Sequence, residues 1–123
     1  MADSIAVVVT TERPQVVRTL LDLLSAALAM DDEAHVYFTG DAIAFVGRPG
    51  AGGADEVGDE VRTEVASRLR ELKDDGTLHV YACTRAMKAH EIAREDLAAE
   101  VDMPAGFAYF LDVAEGAKLT FSF

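Results

Sequence analysis

The 123-residue chain contains no tryptophan and a single cysteine. One cysteine cannot form a disulfide within the chain, which favours a cytoplasmic protein in a reducing compartment. The first residues carry no basic segment before their apolar run, so we expect no signal peptide. Every apolar run is also far shorter than the roughly 20 residues that span a bilayer, which argues against a membrane protein.

Positive charge is scarce as well, since 11 basic residues stand against 22 acidic ones and the formal net charge is −11. Nucleic acids and anionic membranes both bind basic surfaces, so neither is an expected partner. Half of the residues are hydrophobic. A chain of this length and composition can bury one core, and we expect a single domain over residues 1–123.

Glycine is missing between the first predicted strand, residues 5–9, and the first predicted helix, residues 14–30. The glycine fingerprint of dinucleotide-binding proteins is therefore absent where it has to stand. Five of the nine glycines lie instead in residues 47–58, and no Gly-Lys-Ser/Thr follows them to make a phosphate-binding loop. We predict a flexible surface connection there; a loop that covers a site is the alternative.

The rest of the chain alternates apolar strands with amphipathic helices, a pattern typical of an α/β fold. Continuous apolar runs in the strands indicate a largely parallel sheet covered by helices on both faces. Residues 42–46 fit a helix or a strand, and Asp41 as a possible N-cap favours the helix. Strands are predicted at residues 5–9, 34–38, 78–83 and 118–123, and helices at residues 14–30, 42–46, 58–73, from Thr84 and from Pro104.

Cys83 lies where the apolar strand 78–83 gives way to a helical pattern that begins at Thr84. In open α/β sheets, ligands usually bind in the crevice at the carboxyl ends of the strands. The amides at the start of the following helix favour an anion there, so a thiol at that position ionises more readily. The alternative is a small buried hydrophobic residue, because free cysteine is among the most buried residue types.

Positive and titratable side chains follow this cysteine in an otherwise acidic protein, namely Arg85, Lys88 and His90. His79 is predicted on the same face of the strand as Cys83, where burial is a better explanation than catalysis. The acidic residues of the predicted helix 58–73 lie off its apolar stripe and indicate a solvated face rather than a metal site. No metal and no cofactor is therefore predicted.

Beyond these patterns, the chain resembles the DsrE/DsrF-like family. The resemblance rests on the run from Val80 to Cys83, a short helix to Ile92, and a helix opening near Pro104 before a final strand. It extends to the first half of the chain and covers nearly all of it. It implies a three-layer α/β/α fold with a mainly parallel sheet of about five strands. Residues 47–58 depart from the family pattern, which bears on partners and regulation.

The resemblance also implies a function in intracellular sulfur relay. Cys83 matches the family cysteine that follows a central strand and carries a persulfide from a donor protein to an acceptor protein. Thr84, Arg85, Lys88 and His90 are then the candidate binding residues. Arg85 and Lys88 are expected to stabilise the anionic sulfur, and His90 to carry a proton. Family members commonly form trimers or hexamers, so we expect a homo-oligomer.

Two other functions remain open at this stage. The first is a non-catalytic oligomeric module that binds a small anion or a nucleotide in the same crevice. The second is a thiol redox sensor, in which Cys83 is oxidised and pairs between molecules. The aromatic residues of the C-terminal segment exceed what its small core needs, so some are expected in a subunit interface. These residues are Phe107, Phe110, Phe121 and Phe123.

Overall fold

A computed structural model of the chain describes residues 3–51 and 57–123. Its centre is a sheet of five parallel strands in the order β4-β3-β2-β1-β5. The strands are β1 (Ser4–Val9), β2 (Glu33–Phe38), β3 (Leu78–Cys83), β4 (Met103–Ala105) and β5 (Leu119–Ser122). The predicted mainly parallel sheet is confirmed.

The helices connect the strands in sequence order. They are α1 (Pro14–Ala29), α2 (Asp59–Asp75), α3 (Thr84–Ala89) and α4 (Phe107–Ala114), with 3-10 helices at Gly40–Val46 and Arg94–Asp96. Proline suits the first position of a helix because that position has no intrahelical partner for an N–H. The helix predicted at residues 42–46 is confirmed, as part of a buried 3-10 helix.

The strand order places the helices on both faces of the sheet. From β1 to β4 the chain moves steadily toward one edge, and right-handed crossovers then keep α1 and α2 on one face. The step from β4 to β5 runs the opposite way, so α4 covers the other face. There Phe110 stacks on Tyr37 of β2, with ring centroids 4.7 Å apart. This three-layer arrangement confirms the predicted α/β/α architecture.

The helix predicted to open near Pro104 begins later than expected. Pro104 lies within β4, and α4 starts at Phe107. A proline lacks the N–H that a central strand needs, but an edge strand tolerates it. Among the described strands, β4 is such an edge and pairs with β3 alone. Asp102 extends this pairing, because its amide donates to the Val80 carbonyl at 2.8 Å and its carboxylate accepts from the Val80 amide at 2.6 Å.

The described part of the connection between the 3-10 helix and α2 is fixed by hydrogen bonds to neighbouring elements. Arg62 of α2 is buried, and it donates to the carbonyls of Ala44 at 2.8 Å and Ala51 at 2.7 Å. The Arg48 amide donates to the Asp96 carbonyl at 2.8 Å. Part of the predicted flexible segment, residues 52–56, lies outside the described residues, so its flexibility stays a prediction.

Across the described ranges, no helix combines the length and the apolar character that crossing a membrane requires.

Candidate functional site

The carboxyl-terminal ends of β2 and β3 form a crevice together with the start of the 3-10 helix and α3. Cys83 ends β3 and directly precedes α3, so the predicted switch from strand to helix is confirmed. Thr39 follows β2, and Ala105, the register partner of Cys83, ends β4. An open cavity of about 340 Å³ lies here. It is lined by Thr39, Gly40, Asp41, Cys83, Arg85, Ala86, Ala89 and His90.

Cys83 is almost fully buried and yet forms part of the cavity wall. Its relative exposure is 1%, and it is a free thiol. The hydroxyls of Thr39 and Tyr37, and the backbone amides of Ala86 and Arg85 in the first turn of α3, lie near enough to its sulfur to lower its pKa. The sulfur is therefore held in a polar pocket inside an apolar core.

The hydrogen bonds decide the charge state of this thiol. Burial raises the pKa of Cys83, because a charged sulfur is costly to bury. The hydroxyls of Thr39 and Tyr37, and then the amides of Ala86 and Arg85, oppose burial and together bring the pKa below the usual value of a thiol. Since the thiolate is the nucleophile, a lowered pKa makes more of the reactive form available near neutral pH.

Tyr37 lies on the strand next to Cys83, and its ring is packed against other aromatic rings. Its side chain has no exposed surface, and its ring stacks on Phe110 and meets Phe107 edge-on at 5.2 Å. Its hydroxyl donates to the Ala105 carbonyl at 3.0 Å. Burial, and after it the hydrogen bond to Cys83, raises the pKa of Tyr37. The phenol therefore stays protonated and remains a hydrogen-bond donor.

The five residues singled out from the sequence do not all reach the cavity. Cys83, Arg85 and His90 line it, whereas Thr84 and Lys88 are exposed on α3 and lie outside its lining. His90 folds back toward the 3-10 helix, where its Nε2 lies 3.2 Å from the Asp41 carboxylate. Asp41, considered above as an N-cap, is therefore a partner of His90.

His79 lies at the other end of the sheet face. Its ring stacks on His35 with centroids 4.9 Å apart, and its Nε2 is 3.1 Å from Glu33. Within the described residues, no group of three His, Cys, Asp or Glu side chains is arranged to hold a metal ion. On α2, Glu64 pairs with Arg18 at 2.7 Å.

Residues 3–114 match the DsrE/DsrF-like family. This chain belongs to the DsrE/DsrF-like family. This match confirms the resemblance drawn from the sequence. Members of the family generally act in sulfur relay, and they are often oligomeric. No curated protein is significantly similar to the chain in sequence.

Several solved structures share the fold, among them two that match nearly the whole chain. One is the structure of a protein of unknown function, MTH1491 from Methanobacterium thermoautotrophicum, with a TM-score of 0.75 and 14% identity. It covers 97% of this chain, and 98% of that chain is covered in turn. The other is the ychN protein from E. coli, with a TM-score of 0.72, 14% identity and complete coverage of both chains. At this identity the likeness establishes the fold alone.

Proposed function

We propose that this protein is a sulfur carrier, which holds a persulfide on Cys83 and passes the outer sulfur from a donor protein to an acceptor protein. One observation carries the proposal. The only cysteine of this family member has a lowered pKa and lines an open cavity at the carboxyl ends of the strands. A structural cysteine needs neither hydrogen-bond donors around its sulfur nor space beside it.

Loading is an exchange between a thiolate and a persulfide. The Cys83 thiolate attacks the outer sulfur of a donor persulfide, R–S–SH, so that a new sulfur–sulfur bond forms at Cys83. The bond between the two donor sulfurs breaks, and the donor leaves as the thiolate R–S⁻. One sulfur atom and its proton are transferred from the donor to Cys83. No net oxidation occurs, so the exchange needs no redox cofactor.

The cavity suits the loaded state. Its volume of about 340 Å³ is roughly ten times the ~30 Å³ share of a liquid water molecule, so it has space for an added sulfur atom. Arg85 lines the cavity and supplies a positive charge for the outer sulfur when that sulfur is ionised. His90, positioned by Asp41, is placed to exchange a proton with it. Thr84 and Lys88 lie at the surface of α3, where an approaching partner protein meets them.

Intact-mass spectrometry tests the proposal. After incubation with glutathione persulfide and removal of excess donor, we expect the chain to gain the mass of one sulfur atom. A Cys83→Ser variant should gain nothing, and treatment with a reducing agent should restore the original mass.

Two results of the same experiment would reject sulfur carriage. The first is an unchanged mass in the native protein. The second is a dimer joined through Cys83 without added sulfur, which would favour the redox sensor.

We also propose that the protein assembles as a homo-oligomer, a trimer or a hexamer as the family resemblance implies, through the surface of α4. That helix exposes Phe107, Tyr109 and Leu111, the last with a relative exposure of 68%. Aromatic residues are enriched in protein interfaces, and an isolated chain gains nothing from exposing a row of them.

A further inference from the structure

Two buried hydroxyl groups at the site lie near the reacting sulfur and lower its pKa. Thr39 has a relative exposure of 6% and lines the cavity, and Tyr37 has none. Both come from the end of β2, one strand away from Cys83.

The Tyr37 hydroxyl carries one proton and has two acceptors within reach. It donates to the Ala105 carbonyl at 3.0 Å, and Ala105 is the register partner of Cys83, whose sulfur is the second acceptor near this hydroxyl. When Cys83 is a neutral thiol, its S–H can donate to the Tyr37 oxygen while Tyr37 donates to Ala105. When Cys83 is a thiolate, the negative sulfur attracts the proton, and the Ala105 carbonyl loses its donor. Thr39 is therefore expected to stabilise the thiolate more strongly than Tyr37 does.

We propose that Thr39 and Tyr37 are catalytic residues that stabilise Cys83 as the leaving group when the carried sulfur is released. This inference rests on the sulfur-carrier function proposed above. In the loaded state the inner sulfur is neutral, whether the outer sulfur is protonated or ionised. The two hydroxyls then have only a weak acceptor. Their full interaction appears when the sulfur–sulfur bond breaks and the charge returns to the inner sulfur.

The release step balances without any further reactant. An acceptor thiolate, A–S⁻, attacks the outer sulfur of Cys83–S–SH, and a bond forms between them. The bond to the Cys83 sulfur breaks, and its electron pair stays on that sulfur as a thiolate. The products are A–S–SH and the free carrier. A leaving thiol of lower pKa departs faster, so donors that stabilise the thiolate speed the release.

The same hydroxyls set the loading equilibrium. Because they stabilise the free thiolate more than the loaded form, they favour unloading. A carrier that releases sulfur readily must not hold it too tightly, and these donors provide that bias. Removing a hydroxyl should consequently slow the exchange and yet increase the fraction of loaded carrier at equilibrium. A residue with only a structural role predicts no such opposite pair of effects.

The experiment compares the wild type with Thr39→Val and Tyr37→Phe, which remove a hydroxyl at nearly constant size. Thr39→Ser restores the hydroxyl, and Tyr81→Phe is the matched control, since Tyr81 lies on the neighbouring strand and bonds His35 instead. Two readouts are taken. The first is the rate of iodoacetamide alkylation against pH. The second is the loaded fraction at a fixed ratio of glutathione persulfide to glutathione at pH 9.

A hydrogen bond to a charged group is typically worth a factor of about ten, so Thr39→Val should raise the alkylation pKa by about one. At pH 7 the rate should fall only about threefold, because a thiolate of higher pKa is the stronger nucleophile. Tyr37→Phe should act in the same direction with a smaller effect, and Thr39→Ser and Tyr81→Phe should resemble the wild type. The loaded fraction should rise in Thr39→Val and Tyr37→Phe.

Two results would overturn the inference. One is an alkylation profile that neither Thr39→Val nor Tyr37→Phe moves. The other is a loaded fraction that falls along with the rate. Failure of the sulfur-carrier function itself gives a different pattern, in which the wild type never loads although the alkylation profile still shifts in the variants. Circular dichroism of each variant shows whether its fold is intact, and the rescue by Thr39→Ser separates loss of the hydroxyl from loss of packing.

Discussion

The chemistry of Cys83 depends on side chains that arrive from another strand. Its location at the end of β3 could be predicted from the chain alone, because the switch from an apolar run to a helical pattern is local. Thr39 and Tyr37 were missed as site residues, since only the register of β2 against β3 brings them near the sulfur. The sequence feature that marks these two residues is a tyrosine two positions before a polar residue at a strand end. It indicates a site only once the strand order is known.

Lys88 illustrates the opposite case. Its position five residues after Cys83 suggested a cation beside the sulfur, but a short helix turns this side chain to the surface, away from the cavity lining. His90 comes two residues later and does line the cavity. The number of residues from Cys83 is therefore a poor predictor of which side chains reach the cavity. The angular position around α3 decides it.

The environment of His35 predicts that the protein loses stability at acidic pH. Burial, and after it the neighbouring His79, lowers the pKa of His35, while Glu33 opposes the shift. In the unfolded chain a histidine titrates near its ordinary pKa of about 6.5. The unfolded state then binds more protons than the folded state in this range. The contribution of His35 to the free energy of unfolding should be complete above the unfolded pKa. It should decrease as the pH falls below that value and be lost once the pH has fallen through the lower folded pKa.

A His35→Gln variant should lose less stability than the wild type between pH 7.5 and pH 5. Urea unfolding at both pH values measures the difference, and glutamine keeps a hydrogen-bonding group near the Tyr81 hydroxyl, which lies 3.1 Å from His35 Nδ1. An equal loss in wild type and variant would show that His35 does not contribute to the acid sensitivity.

At the level of elements, the sequence predicts the main strands well because they are continuous apolar runs, and the long helices well because each has a periodic apolar stripe. The short edge strand β4 escapes it, since three residues around Pro104 carry no period and proline suggests a helix start. What makes this segment a strand is non-local. Asp102 pairs with the backbone of Val80, and Lys73 holds the Asp102 carboxylate at 2.7 Å.

The 3-10 helix and the segment after it depend on Arg62 of α2, which the sequence pattern had placed on an ordinary amphipathic helix. An Arg62→Met variant keeps the apolar stem but leaves the Ala44 and Ala51 carbonyls without this donor. Losing partners of buried polar groups costs ~1–3 kcal/mol for each group, so we expect a loss of ~3 kcal/mol in the free energy of unfolding.

Arg68→Met on the same helix is the matched control. Arg68 forms a surface pair with Asp22, and such pairs contribute ~0–1 kcal/mol. Chemical denaturation of both variants gives the comparison. Similar stabilities for the two variants would contradict a structural role of Arg62 in fixing the 3-10 helix.

For the whole molecule, the exposed apolar surface of α4 predicts assembly. Light scattering should give three or six times the 13.2 kDa chain mass at micromolar concentration. Leu111→Asp should reduce that mass, because a buried interface charge without a partner is costly. Met30→Asp is the control, since Met30 is equally exposed but lies at the end of α1. A monomeric wild type, or equal dissociation by both variants, would contradict assembly through α4.

The central claim is that Cys83 both accepts and releases sulfur, and transfer of a radiolabelled sulfane sulfur tests it most directly. The protein is loaded from labelled glutathione persulfide, freed of excess donor, and mixed with an unlabelled acceptor thiol. We predict one labelled sulfur per chain after loading, because the chain has one cysteine, and complete passage of that label to the acceptor. Label that never binds, or that stays bound to native protein, would contradict the account.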